Sequence, residues 1–335
     1  MRAVSVVAVL MLVAGAAAAD APYAVSKTWA LGGEGGWDYA TLDASGARLY
    51  IPRQSHTQVI DTASGKVVLD VTGNAGAHGV ALVPELDRGF ISNGKDGTVQ
   101  VFDLKSGAEL GRLAAAEDAD GIIYDPGTKH VLVMCGDAQK LLTFAADVDP
   151  KTGKADGTIE LGGKPEFSAA DGAGKVYVNL VDKDLVAVVD IKEKKVLAKW
   201  STAPGTGPVG MSMDPATHRL FVGCRNEKLL VMDADKDGKV LGSVAIGHGV
   251  DATAVAGKLI FASCGDGTLT VAQEDPASGL KVVETVKTAT RARTMAVDAK
   301  TGTVYLPTAD VEGKGPRPKP VPGTFKVLVV SRAAH

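Results

Sequence analysis

The stretch LYIPRQSHTQVIDTASGK, residues 49–66, contains the pattern that decides the fold of this chain. A short apolar strand with an aromatic residue is followed by a polar loop, a second strand that ends in Asp61, and a Gly-Lys turn. Versions of the pattern recur seven times, with the first strand at 49–51, 89–91, 131–133, 176–178, 220–222, 260–262 and 304–306. A spacing of about 40 to 45 residues is the period of a four-stranded propeller blade. The sequence therefore predicts an all-β fold, a seven-bladed β-propeller with four-stranded blades.

The two ends of the chain are predicted to share the last blade. Repeat 7 supplies strands near 295–297, at Tyr305 and at 325–330, which leaves it one strand short. The segment 25–31 has the composition of the strands that end other repeats. We expect this N-terminal strand to complete the last blade and close the ring, because an unpaired sheet edge is otherwise exposed.

The first residues have the features of a signal peptide. Arg2 precedes an apolar run at 4–14 and the small residues Ala17-Ala18-Ala19. This pattern predicts a cleaved signal peptide over 1–19. Residues 20–335 are then expected to form a single propeller domain in the periplasm, with full secretion left open. No apolar run has the length of about 20 residues that spans a bilayer, so no transmembrane segment is predicted.

Composition and motifs argue against several functions. The formal net charge is -3 and 22% of residues are charged, and basic residues interleaved with aromatics are missing. Nucleic-acid binding is therefore not expected. The sequence has no Gly-x-Ser-x-Gly elbow, P-loop or dinucleotide fingerprint, so no catalytic residue is assigned. Cys135, Cys224 and Cys264 occupy equivalent repeat positions, and a disulfide between the last two is left open.

Several repeats resemble a known family. The segments 59–68 (VIDTASGKVV) and 99–107 (VQVFDLKSG) look like one half of the YVTN-type propeller repeat, and 79–84 (GVALVP) looks like the other half. Over the mature chain, the sequence is similar to the YncE-like periplasmic β-propellers. The resemblance implies a seven-bladed propeller with a binding role, and it implies no single reaction.

One repeat position is almost always charged. Just before the innermost strand of successive repeats stand Asp38, His78, Asp120, Glu166, Val209, Asp251 and Arg293. Positions at the end of the second strand also vary, where the family repeat has a uniform Asn. A central channel offers concave space for a ligand. The predicted ligand-binding residues are therefore Asp38, Arg53, His78, Asn93, Asp120, Glu166, Asn179, Asp251 and Arg293. The alternative is that these side chains are only hydrated at the channel mouth and hydrogen-bond to backbone groups of neighbouring blades.

The same position suggests a possible divalent metal. Asp38, His78 and Asp120 come from consecutive repeats, and Cys135 is a softer candidate ligand. Acids outnumber bases among the charged positions, so we expect an electronegative mouth. The identity of any cofactor stays open.

Repeat 7 contains a Pro-rich insertion over 309–323. We expect it to form neither helix nor ladder, because its prolines lack N–H donors. Lys314, Arg317 and Lys319 would cover the mouth, contact a partner or remain solvated. The leading interpretation is a non-enzymatic module that binds an unidentified small ligand or a periplasmic or outer-membrane protein. The alternative is a metal-assisted hydrolase or lyase for a lactone-like substrate, with His78 as acid or base.

Overall fold

The computed structural model describes residues 22–313 and 318–333. The predicted signal peptide (1–19) and the loop residues Lys314 and Arg317 lie outside the described residues. Two short 3-10 turns occupy Pro84–Leu86 and Ala234–Lys236. No helix in the described ranges has the length and apolar character that a membrane crossing requires.

The strands in chain order are β1 (Tyr23–Ala30), β2 (Thr41–Leu42), β3 (Arg48–Pro52), β4 (Gln54–Asp61), β5 (Lys66–Val83), β6 (Arg88–Asn93), β7 (Thr98–Asp103), β8 (Glu109–Ala114), β9 (Ala119–Asp125), β10 (His130–Cys135), β11 (Lys140–Ala145), β12 (Gly157–Glu160), β13 (Pro165–Ala170), β14 (Lys175–Leu180), β15 (Leu185–Asp190), β16 (Lys195–Ser201), β17 (Pro208–Asp214), β18 (Arg219–Cys224), β19 (Lys228–Asp233), β20 (Lys239–Ala245), β21 (Val250–Ala256), β22 (Leu259–Cys264), β23 (Thr268–Asp275), β24 (Gly279–Lys287), β25 (Ala296–Val297), β26 (Val304–Thr308), β27 (Val311–Glu312), β28 (Lys319–Pro320) and β29 (Lys326–Arg332).

The strands form antiparallel sheets whose members follow one another along the chain. Five sheets of the described residues have four strands each, and four of them consist of consecutive strands: β9 to β12, β13 to β16, β17 to β20, and β21 to β24. A further sheet contains the seven strands β2 to β8. Its long strand β5 pairs with β4 over Lys66–Thr72 and with β6 over Ala77–Val83. Gly73 and Gly76 lie between these halves with φ of 83° and 71°, a conformation that lets the strand turn from one half to the other.

Both ends of the described chain lie in one sheet, with strand order β1-β29-β26-β25. β1 pairs antiparallel with β29, from Tyr23 opposite Arg332 to Ala30 opposite Lys326. The predicted pairing of the N-terminal strand with the C-terminal strand is therefore present. Val327 and Val330 of β29 are fully buried, so this pairing is continuous with the core.

The core lies between the faces of neighbouring sheets. Phe90 of β6, Val101 of β7 and Phe144 of β11 pack in one cluster and are fully buried. The two middle strands of a sheet are buried on both faces, as in Leu141 to Phe144, whereas the outer strand β16 alternates half-buried and exposed residues. Burial on both faces explains the continuous apolar runs that made the repeat visible in the sequence.

Two details bear on the sequence predictions. The prediction that 309–323 forms no ladder was wrong, because β27 and β28 pair through Val311 with Pro320 and Glu312 with Lys319. A two-residue ladder needs few N–H donors, and Pro320 still offers its carbonyl oxygen. The three cysteines are buried free thiols, so Cys224 and Cys264 are not bonded to each other.

Candidate functional site

Charged side chains gather just before the innermost strands. We use the name charged cluster for this set, which comprises Asp38, His78, Asp120, Glu166, Arg225, Asp251 and Arg293. Its members lie close enough that their charges act on one another across different sheets. Six of them stand at the repeat position that the sequence analysis selected. The arrangement follows from the fold, because equivalent positions of stacked sheets lie at the same level.

Asp38, His78 and Asp120 form the tightest part of the charged cluster. Nδ1 of His78 lies 2.8 Å from Oδ2 of Asp38 and 3.4 Å from Oδ1 of Asp120. The backbone brings them together, since the N–H of Tyr39 donates to the carbonyl of His78 at 3.1 Å. Burial lowers the pKa of His78, but the hydrogen bond to Asp38 and the charges of Asp120 and Asp38 outweigh it and raise that pKa to about 9. The imidazole is therefore protonated at neutral pH and donates to Asp38.

Asp120 is the least compensated acid of the charged cluster. Burial raises its pKa well above the ordinary value, against the opposing charge of His78. Its side chain is 14% exposed. Apart from the 3.4 Å contact with His78, Oδ1 of Asp120 is buried with no hydrogen-bond partner among the described residues. A buried acceptor without a donor is costly, so Asp120 offers a ready acceptor to a ligand.

Two ion pairs complete the charged cluster. Nη2 of Arg225 lies 3.2 Å from Oε1 of Glu166, and Nε of Arg293 lies 3.3 Å from Oδ2 of Asp251. Burial raises the pKa of Glu166 and raises that of Asp251 to about 6, in each case against the partner arginine. The charge of Asp251 in turn raises the pKa of Arg293. These buried carboxylates keep their charge chiefly because each has a cation beside it.

The charged cluster includes one cation that the sequence analysis did not select, Arg225, so its four acids are matched by three bases and the charges are more nearly balanced than expected. Arg225 directly follows the last residue of β18, and its side chain is 62% exposed. Lys164 lies at the side of the charged cluster, with Nζ 3.2 Å from Asp118 and 2.8 Å from Asp137. The selected position of repeat 5 is Val209, which is uncharged. The signal for Arg225 was its place directly after the second strand, one repeat position after the one that Arg53 occupies in repeat 1.

Tyr39 lies among the acids and was also missed. Burial, followed by the charges of Asp120 and Asp251, raises the pKa of Tyr39 well above its ordinary value. Its hydroxyl therefore stays protonated and is a donor. The Tyr39 ring meets the Phe167 ring edge to face, with centroids 4.9 Å apart. Since Tyr39 lies in the loop before β2 and Phe167 lies in β13, this contact ties the β2 end of the charged cluster to β13. The available signal was adjacency, because Tyr39 directly follows Asp38.

The absence of a side chain at Gly94 leaves room for the His78 ring. A Cβ atom at Gly94 would lie 2.7 Å from Nε2 of His78. Any larger residue there would displace the imidazole from its two carboxylates. Gly94 directly follows Asn93, the last residue of β6.

Arg53 does not join the charged cluster. It is fully buried, and its guanidinium donates to the carbonyls of Gly36 at 2.9 Å and Glu34 at 2.8 Å and to Oε1 of Gln58 at 2.9 Å. It also stacks on Phe325, 3.5 Å from the ring centroid. Burial lowers its pKa to about 10. These contacts make Arg53 a structural residue between the loop before β2 and the last sheet.

Asn93, Asn179 and Cys135 likewise have structural contacts. Oδ1 of Asn93 accepts from the N–H of Ala75 at 3.0 Å, and Nδ2 of Asn179 donates to the carbonyl of Val209 at 2.8 Å. Both amides are fully buried. Cys135 is buried as well, which raises the pKa of its thiol to about 11. Its thiol is therefore a poor metal ligand at neutral pH.

Three residues have the spacing of a metal site. One ligand atom from each of Asp38, His78 and Asp120 lies within 4.8 Å of the others, and Cys135 is not in this group. Two carboxylates and an imidazole suit a divalent cation. A cation would have to displace the proton of His78, because an imidazole binds metal in its neutral form.

A cavity of about 450 Å³ adjoins the charged cluster along the innermost strands. Its lining includes Tyr39, Gly79, Gly121 and Phe167, each of which directly follows a charged residue. The charged residues thus stand at one end of a largely apolar cavity.

Comparison with solved structures identifies the architecture. A chain of "Kuenenia stuttgartiensis Hydrazine Synthase" matches with a TM-score of 0.71 and 14% identity over 82% of this chain and 92% of that one. A chain of "Crystal Structure of Mitotic Checkpoint Complex" matches with a TM-score of 0.74 and 12% identity over 99% and 98%. Both are β-propeller proteins. This chain is a β-propeller. At these identities the likeness shows the fold alone, and no protein-family model or curated protein matches the sequence.

Proposed function

We propose that this chain is an exported, seven-bladed β-propeller that binds a ligand or partner protein, without catalysis, through the charged cluster at the mouth of its central channel. The blade count is supported by the sheets, if the two halves of the seven-stranded sheet are counted separately at β5. Closure of the ring is supported by the pairing of β1 with β29 and by contacts between β2 and β25. Export to the periplasm and a single domain over 20–335 rest on the sequence features.

The observation that carries the proposal is the unsatisfied carboxylate of Asp120 within the charged cluster. Side chains from several sheets converge there, and Asp120 has an acceptor without a donor while the Tyr39 hydroxyl is a protonated donor. The exposed guanidinium of Arg225 can contact an anionic or acceptor group. We therefore expect a small polar ligand or a protein loop that supplies a donor to Asp120 and an acceptor to Arg225.

Binding is favoured over catalysis by the state of His78. Its Nδ1 is shared by two carboxylates, and its pKa of about 9 makes it a cation at neutral pH. A protonated imidazole is not a general base, which removes one of the two catalytic roles considered for His78.

The experiment is native mass spectrometry of the untagged protein purified from its own host. We expect a bound mass that survives in the control Asp235→Asn, whose exposed carboxylate contacts His218 away from the charged cluster. The bound mass should be lost in Asp120→Asn and reduced in Arg225→Ala. A ligand that stays bound equally in Asp120→Asn would contradict the proposed site.

The second candidate is the metal-assisted hydrolase or lyase with a lactone-like substrate, and the grouping of Asp38, His78 and Asp120 favours it. When bound, a divalent cation would polarise the substrate carbonyl. Titration with Zn²⁺ in buffers of different ionisation enthalpy tests this. Binding at pH 7.5 should release about one proton from His78, and the apparent affinity should rise about tenfold per pH unit below pH 9. Asp38→Asn should abolish it, and binding that is independent of pH would exclude this site.

A further inference from the structure

The 450 Å³ cavity has two different ends. Beside the charged cluster, Tyr39 and Gly121 are buried. The lining then follows the innermost strands to Ala44, Pro84 and Pro126, which are exposed. Since these strands start at the charged cluster, the exposed residues lie at the opposite face of the propeller.

An aromatic pair stands between the charged cluster and the cavity. Tyr39 and Phe167 both line the cavity; Tyr39 lies in the loop before β2, and Phe167 lies in β13. Their rings meet edge to face with centroids 4.9 Å apart, so the pair bridges two walls of the cavity. A ligand held by the charged cluster and a ligand in the cavity therefore contact opposite sides of this pair.

The chemistry of the lining is uniform. Among the described residues that line the cavity, none carries a formal charge. Leu42, Leu82 and Tyr124 are half-buried, so apolar surface faces water there. Three hydroxyl groups of the lining have partners inside the protein: Thr41 donates to the carbonyl of Val80 at 2.8 Å, Tyr124 donates to the Glu85 carboxylate, and Ser168 lies 3.5 Å from the sulfur of Met134.

We propose that this cavity is a second binding site, for an uncharged and largely apolar small molecule that enters from the face opposite the charged cluster. Its volume falls within the range of about 300 to 1,000 Å³ that holds small organic ligands. Apolar ligand surface would replace the water against Leu42, Leu82 and Tyr124. A charged ligand would lose its hydration without gaining a partner. The inference does not depend on ligand binding by the charged cluster.

The test uses the neutral fluorescent probe N-phenyl-1-naphthylamine with the full chain. Leu82→Asp places a carboxylate in the apolar lining and should weaken binding at least tenfold. The matched control is Leu197→Asp, which makes the same change at a 45% exposed leucine of the outer strand β16. This control and Asp120→Asn should bind within twofold of the unaltered protein. No binding by the unaltered protein, or an equal loss in either control, would overturn the proposal.

Photolabelling of the unaltered protein with benzophenone removes any dependence on how well Leu82→Asp folds. We expect labelled peptides within 39–44, 80–84 and 121–126, which contribute most of the lining. Excess N-phenyl-1-naphthylamine should reduce this labelling. Labels found instead on exposed outer residues such as Val68 and Val283 would refute the cavity as the site.

Discussion

Replacing Arg53 by alanine should destabilise the protein more than removing any exposed charge. The Arg53 guanidinium is fully buried and donates to two backbone carbonyls and one side-chain amide at 2.8 to 2.9 Å. It also covers the ring of Phe325. Alanine would leave the carbonyls of Glu34 and Gly36 without this donor and would open space beside Phe325.

The magnitude follows from opposing contributions. A hydrogen bond from a charged group contributes about 1.5–3 kcal/mol, so three of them give an upper limit well above 4 kcal/mol. Burial lowers the pKa of the guanidinium to about 10, which reflects the free-energy cost of removing its charge from water. Alanine does not have this cost. We expect a net loss of about 3–5 kcal/mol, the usual effect of breaking a buried charged network. With an unfolding entropy of about 0.6 kcal/mol/K for roughly 300 residues, the melting temperature should fall by about 5–8 °C.

The assay is thermal unfolding followed by circular dichroism. The control is Lys105→Ala, because the Lys105 side chain is 73% exposed and its ion pair is with Asp87, which is 54% exposed. An exposed pair contributes about 0–1 kcal/mol, so this control should lose at most about 2 °C. Equal losses in the two variants, or a loss below 2 °C for Arg53→Ala, would refute the structural role of Arg53.

Two further predictions concern pH and closure. The folded pKa of His78, about 9, lies above the unfolded value of about 6.5, so its stabilisation is complete below pH 6.5 and is lost as pH rises to 9. Denaturant titrations should therefore show that stability falls between pH 6.5 and 9. The fall should be smaller in His78→Asn, and the exposed control His248→Asn should have the same profile as the unaltered protein. A flat profile in the unaltered protein would contradict the ion pairs of His78. Deleting 23–31 should lower the melting temperature steeply, because β29 loses its partner β1, becomes an edge strand and exposes its buried valines. A deletion variant that melts like the full chain would show that β1 does not seal the last sheet.

The strands were predictable from the sequence because burial on both faces produces a regular apolar pattern. The predicted segment 25–31 corresponds to Tyr23–Ala30, and 325–330 corresponds to Lys326–Arg332. Most of the charged cluster was predictable for a related reason. Equivalent positions of the repeat lie at the same end of the innermost strands, so their side chains lie close together. The partners of those residues were not predictable. Tyr39 and Arg225 stand outside the selected position, and no periodicity links either of them to the acids it faces.

The contrast between Arg53 and Arg225 shows what decides such cases. Both residues directly follow the second strand of a repeat, but Arg225 stands one repeat position later than Arg53, whose equivalent in repeat 5 is the buried Cys224. Arg53 is covered because the loop at 32–36 folds over it, and glycines make that possible: Gly35 has a φ of 90°, and a Cβ there would lie 2.8 Å from the carbonyl oxygen of Arg53. The flexible loop can therefore turn its carbonyls toward the guanidinium. At Arg225 the side chain stays exposed and reaches Glu166. A basic residue directly after the second strand is thus structural where a glycine-rich loop folds over it. Where its side chain remains exposed, it is free to contact a ligand.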